Sequence, residues 1–78
     1  MSTYIIAIFS HMDGDNRLFE VEADIAVEAA KKAVINHADE KYRNEDYLNW
    51  ANGLGETYED VQDNATQSEL IISTFYKS

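Results

Sequence analysis

The sequence contains no cysteine and no proline, only three glycines, and few positive charges. Without cysteine no disulfide can staple the chain and no thiolate can hold a metal, which suits a reducing compartment. Neither a proline-rich linker nor a low-complexity segment or internal repeat divides the 78 residues, so the chain reads as one domain, 1–78. A chain of this length buries only about 60% of its unfolded surface, so its core is small. Long hydrophobic runs are missing too. The longest, Tyr4 to Phe9, has six residues, whereas a membrane-spanning helix needs about 20. That run also lacks the basic leader and cleavage site of a signal peptide. The expectation is a cytoplasmic protein that does not engage a membrane.

Positive charge is scarcest of all. Six Lys and Arg face fifteen Asp and Glu, giving a formal net charge of −9 and a pI near 4.3. Nucleic acids and anionic membranes are bound through positive footprints, so neither is an expected direct ligand. The partners such a chain suits are basic surfaces, including those that ordinarily hold nucleic acid. The competing reading is that acidity only keeps a small protein soluble. The distribution is uneven: residues 1–43 carry eight acids and five bases, residues 44–78 seven acids and one base. No Lys or Arg occurs between Asn44 and Tyr76.

What is present reads as ββα(αα)β. Thr3 to Ser10 is β-branched and aromatic on both faces of a period-two pattern, the mark of a central strand. Asp13-Gly14 lies between two strand-like runs and signals a hairpin. Arg17 to Ala23 alternates, with Phe19, Val21 and Ala23 on one side and Leu18, Glu20 and Glu22 on the other; outward glutamates suit an edge strand. From Asp24 to Tyr42, an apolar stripe of Val27, Ala30, Val34, Ala38 and Tyr42, widened by Ala26 and Ala33, predicts a long helix lying flat on the sheet. Asp24 is its expected N-cap, Glu28 can pair with Lys32, and the helix is expected to weaken near Asp39. Asn44 to Asn52 predicts a short helix capped by Asn44 and ended by Gly53 or Gly55. Thr57 to Asp60 resembles a capping box, predicting a turn from Tyr58 to about Asn64. Glu69 to Tyr76 closes the chain as a strand. The predicted fold class is α+β, a three-stranded antiparallel sheet in the order 2-1-3 with one long and one or two short helices on one face. The first and third strands are apolar on both sides, so the face opposite the helices is left without a cover.

Residues that could carry chemistry have plainer roles. Asp13-Gly14-Asp15-Asn16 resembles the opening of a calcium loop, but Arg17 takes a ligand position, Leu18 the required glycine and Asp24 the closing glutamate. His11 reads as a turn residue and His37 as a rim residue of the core; two histidines with a lysine nearby do not make a zinc site. Ser10, Ser68 and Ser73 stand in no nucleophile elbow, and no glycine-rich phosphate cradle exists. Glu45–Asp46 and Glu59–Asp60 are neighbours on exposed turns, where nothing raises a carboxyl pKa for acid–base work. Asn64-Ala65-Thr66 matches a glycosylation sequon and reads as loop. No catalytic residue, cofactor or metal is expected. The informative feature is the mixing of Tyr42, Tyr47, Trp50 and Tyr58 with acids. Tyr47 and Trp50 read as core, while carboxylates steer a basic partner.

The stretch Tyr4-Ile5-Ile6, Asp13-Gly14-Asp15, Phe19-Glu20-Val21-Glu22-Ala23-Asp24 and Ala29-Ala30-Lys31-Lys32-Ala33 resembles small phage-encoded accessory proteins, anti-CRISPR inhibitors among them. In these a strand, a glycine turn, a strand ending near Val-x-Ala and an Ala-rich helix follow one another. The resemblance covers residues 4–38. It implies a stoichiometric inhibitor, acting in the host cell, that occupies the nucleic-acid or protospacer-motif site of a nuclease. The acidic second half shares no motif with these proteins, and no functional residue is carried over.

The expected function is a non-enzymatic acidic protein-binding module, an inhibitor and DNA mimic that occupies a basic, nucleic-acid-binding surface of a host protein such as a CRISPR or restriction nuclease. Its expected partner-binding residues are Glu45, Asp46, Glu56, Tyr58, Glu59, Asp60 and Asp63. The alternative is a small homo-oligomeric structural or regulatory protein, a homodimer assembling through the uncovered sheet face. On the charge argument, Glu59→Lys with Asp60→Lys should leave the melting temperature unchanged or raised.

Overall fold

Apolar on both faces of its alternation, β1 (Ser2–Ser10) takes the centre of a three-stranded antiparallel sheet in a computed structural model that describes residues 1–78. β2 (Asp15–Ala23) pairs with it across the hairpin, with Ser2 opposite Ala23 and Ser10 opposite Asp15. β3 (Leu70–Tyr76) pairs on the other side, from Tyr4 opposite Tyr76 to Ser10 opposite Leu70. The order is therefore β2-β1-β3, as the sequence predicts. At the hairpin, Gly14 has a φ of +64°, a left-handed conformation that glycine adopts without Cβ strain. Buried Ser10 accepts from the Asp13 backbone N–H at 3.4 Å and so ties the turn to the strand end.

Between β2 and β3 come α1 (Ala26–His37), a single 3₁₀ turn (Glu40–Tyr42), α2 (Glu45–Asn52) and α3 (Tyr58–Gln67). α1 lies across β1 and β2, α3 packs on β3, and α2 packs on α1. All of them cover the face bearing Ile6, Ile8, Val21, Ala23, Leu70 and Ile72, which close the core with Ala29, Ala30, Ala33, Val34, Ala51, Leu54, Val61 and Ala65. The alanines of α1 are what let it lie so close to the sheet, because a methyl group occupies little of the roughly 10 Å between packed layers. No helix is long and apolar enough to cross a membrane.

Several local expectations are corrected. α1 begins at Ala26 with Ile25 at the N-cap and no side-chain cap, so Asp24 does not cap it. It stops at His37, just before the weakening expected near Asp39, and Tyr42 sits exposed on the 3₁₀ turn rather than in the core stripe. The stop has a visible cause: Arg43 donates to the Asn36 and Ala38 carbonyls, and Arg17 to that of His37, so two guanidinium groups take the ends of the helical ladder. Lys32 donates to the Glu22 carbonyl at 3.0 Å rather than pairing with Glu28. Asn44 caps α2 as predicted, accepting from the Tyr47 N–H at 2.9 Å. Gly53 ends α2 with an ordinary φ of −92°, so no left-handed cap forms there. Thr57 caps α3 by accepting from the Asp60 N–H at 3.1 Å. α3 then runs on to Gln67, past the expected end near Asn64, and the sequon Asn64-Ala65-Thr66 is helical rather than loop. Gln62 holds α3 to the sheet by donating to the Ile72 carbonyl at 2.9 Å.

Candidate acidic interaction surface

The electrostatics of this protein rest on how its few cations are used. Arg17 donates to the His37 carbonyl and lies 5.2 Å from the Phe19 ring centre. Lys32 and Arg43 are held by backbone carbonyls, and Lys41 lies over the Tyr42 ring. Only Lys77 meets a carboxylate, that of Glu20 at 2.7 Å, across the sheet. Of fifteen acidic side chains, Glu20 alone is in an ion pair. The rest carry their charge to the surface without an internal counter-ion.

The sequence-predicted residues fall on two elements. Glu45 and Asp46 occupy the first turn of α2, and Glu59 and Asp60 the first turn of α3. Carboxylates at these positions complement the positive end of the helix dipole, which is the local reason the sequence tolerates them side by side. On α3, Glu59, Asp60 and Asp63 fall within about 100° of the helix circumference, opposite buried Val61 and Ala65. Glu56 is exposed in the segment entering α3. That entry is tight: a Cβ on Gly55 would sit 2.6 Å from the Asp60 Cβ, so only glycine admits this approach. Tyr58 differs from its acidic neighbours. Its hydroxyl is enclosed and has no hydrogen-bond partner, so it is directed into the protein and away from any incoming surface.

α2 packs on α1, and α3 on β3 and α1, so the two acidic groups stand on separate helices. Asp46 also joins residues that the sequence pattern does not group with it. An open cleft of about 1110 Å³ at the hairpin end of the molecule is lined by Asp13, Asp15, Asp39 and Asp46 together with Tyr42 and Trp50. The sequence pattern assigns Asp13 and Asp15 only to a turn. Their pairing with Asp39 and Asp46 depends on how α1 returns over the sheet, which no local pattern reveals.

The aromatic wall of this cleft is anchored. Tyr47 donates its hydroxyl to the Val34 carbonyl at 2.9 Å and packs against Trp50 with ring centres 5.3 Å apart. Burial pushes the Tyr47 hydroxyl above the ordinary phenol pKa, with nearby Arg43 pulling the other way. His37 also lines the cleft, edge-on to Phe19, and its Nε2 is enclosed without a partner. No group of three or more His, Cys, Asp or Glu side chains is arranged to hold a metal ion.

Compared with known protein families, curated proteins and solved structures, the chain matches none. The arrangement itself is what remains to be read. Its carboxylates are exposed. What they can do chemically is attract and orient cationic groups.

Proposed function

We propose that this protein is a non-enzymatic binding module that sets free carboxylates against a basic surface of another protein, and that it acts as a stoichiometric inhibitor of nucleic-acid binding there. The single observation that carries this reading is the one-sided use of charge. Five of the six cations are engaged within the fold, Lys31 being the exception, while every acid except Glu20 lacks an ion-pair partner. A chain shaped only for solubility gains from mixed signs at its surface. A chain shaped for a basic groove gains from unpaired carboxylates, which raise the encounter rate and stand in for phosphates.

The resemblance of residues 4–38 to phage accessory inhibitors points the same way and supplies the class of target, a host nuclease of the CRISPR or restriction type. The contact residues of this reading are Glu45, Asp46, Glu56, Glu59, Asp60 and Asp63.

The test is competition. The immobilised chain is exposed to host lysate, and retained protein is challenged separately with duplex DNA and with salt. The reading expects a retained protein that duplex DNA releases and that loses DNA binding when the chain is added in equimolar amount. Retained proteins that neither duplex DNA nor salt displaces would sink it.

A further inference from the structure

No helix covers the face of the sheet opposite α1 and α3, and the only ion pair, Lys77 with Glu20, crosses it at one end. Thr3, Ile5, Ala7 and Phe9 of β1 run down its middle, with Leu18 on one side and Ile71 and Phe75 on the other. Leu18 is 72% exposed, Phe75 61% and Ile71 41%. Within the strands only Glu20 and Glu22 bring carboxylates to this face, and Glu20 is already neutralised by Lys77.

We infer that this face docks a second copy of the same chain, sheet against sheet, in a weak two-fold dimer. The argument is register. A two-fold axis along β1 lays β2 of one copy over β3 of the other at the same level. At the level of Ala7, the strand partners are Leu18 on one side and Ser73 on the other. The projecting Leu18 therefore meets the second copy's Ser73, a dip between that copy's Ile71 and Phe75. Ala7 meets Ala7 at the axis, where two small side chains allow close approach. At the level of Thr3, Glu22 lies on one side, and Lys77, whose N–H donates to the Thr3 carbonyl at 2.8 Å, lies on the other. Lys77 is held across β1 by Glu20 of its own chain, so that ion pair lies inside the interface and brings no net charge to it. The surface complements itself in shape, and the acidic helices of both copies stay outermost.

Area sets the strength. Nine residues at about 3.3 Å each, across three strands about 4.8 Å apart, give a footprint on the order of 400 Å² per copy. Two copies bury about 800–1,000 Å², the low end of specific interfaces, so the dimer is reversible and concentration-dependent. Each copy also carries a net charge of −9, so the copies repel until salt screens them.

Sedimentation velocity over about 1 μM to 1 mM protein, at low and at high NaCl, tests this. The expected result is a shift from 8.9 kDa toward twice that mass, stronger at high salt. Leu18→Glu and Phe75→Glu should each weaken it by about tenfold or more while melting like the native chain, since both side chains are exposed. Amide shifts that change on dilution should fall on Ile5, Ala7, Phe9 and Leu18, a readout that needs no variant. A monomer throughout, a dimer insensitive to both variants, or shifts confined to α2 and α3 would overturn the inference. The opposite salt dependence separates it from partner capture by the acidic surface, which salt weakens.

Discussion

Arg43 closes the C-terminus of α1 by donating from Nε to the Ala38 carbonyl at 2.9 Å. A second nitrogen of the same guanidinium reaches the Asn36 carbonyl at 3.1 Å. A cation at the negative end of a helix gains from the dipole as well as from the hydrogen bonds. Arg43→Ala should therefore cost about 2 kcal/mol of unfolding free energy, read by urea denaturation. Lys31→Ala, which removes a cation with no hydrogen bond or ion pair, should stay within about 0.5 kcal/mol. Equal losses would mean that Arg43 matters only as charge.

Glycine is required at two positions for different reasons. Gly55→Ala drives a Cβ to within 2.6 Å of the Asp60 Cβ and 3.0 Å of the Val61 N, so the start of α3 must shift. The expected loss is about 1–3 kcal/mol. Gly14→Ala meets no atom within 4 Å and suffers only from its φ of +64°, for a loss of about 1 kcal/mol. Thermal melts of the two variants should rank in that order.

Tyr47 gives a pH dependence whose sign follows from its burial. Folding favours the neutral phenol, so the folded pKa lies above the unfolded value. Stability from this group is whole below about pH 10 and falls as pH rises through the folded pKa. Tyr47→Phe lacks the hydrogen bond to Val34 at every pH but has nothing to ionise. The native chain should thus lose more stability than the variant between neutral and strongly alkaline pH. Spectroscopic titration of the native chain against Tyr47→Phe should assign to Tyr47 a phenol that ionises above the ordinary value. Parallel stability curves for the two proteins would refute the assignment.

The sheet was legible because period two is a strong signal when both faces are apolar, as in Tyr4 to Phe9, and because Asp13-Gly14 fixes the hairpin. The caps at Asn44 and Thr57 were legible for a local reason as well: each accepts a backbone N–H three residues on. The end of α1 was legible only as a weakening near Asp39, not as a stop at His37. Ala38 and Tyr42 continue the helical spacing, and what stops them is Arg43 folding back and Arg17 reaching over from β2. The same limit applies to the candidate surface. Glu59, Asp60 and Asp63 share a face because they share a helix, which spacing reveals. Asp13, Asp15, Asp39 and Asp46 share a cleft because three elements converge, which spacing cannot reveal.

The placement of the α3 acids changes what charge reversal should do. Glu59 and Asp60 lie in the first turn, where lysine would oppose the dipole at about 0.3–1 kcal/mol each. Relief of self-repulsion is of similar size, so the double lysine variant is no longer expected to gain stability. Asp63 lies one turn further on, four residues after Glu59, where two carboxylates on adjacent turns repel. Asp63→Lys turns that repulsion into an attraction between Glu59 and the introduced ammonium, in the favourable orientation with the acid nearer the N-terminus. It should raise stability by about 0.5 kcal/mol, seen as a melting temperature at or above native. The same change takes two units from the charge that steers a basic partner. Association with a partner captured as proposed above should slow, most at low salt, with dissociation little altered. Stability and binding would then move in opposite directions, which a solubility coat does not produce. If Asp63→Lys melts higher yet associates as fast as the native chain at low salt, the outer face of α3 is not part of the binding surface.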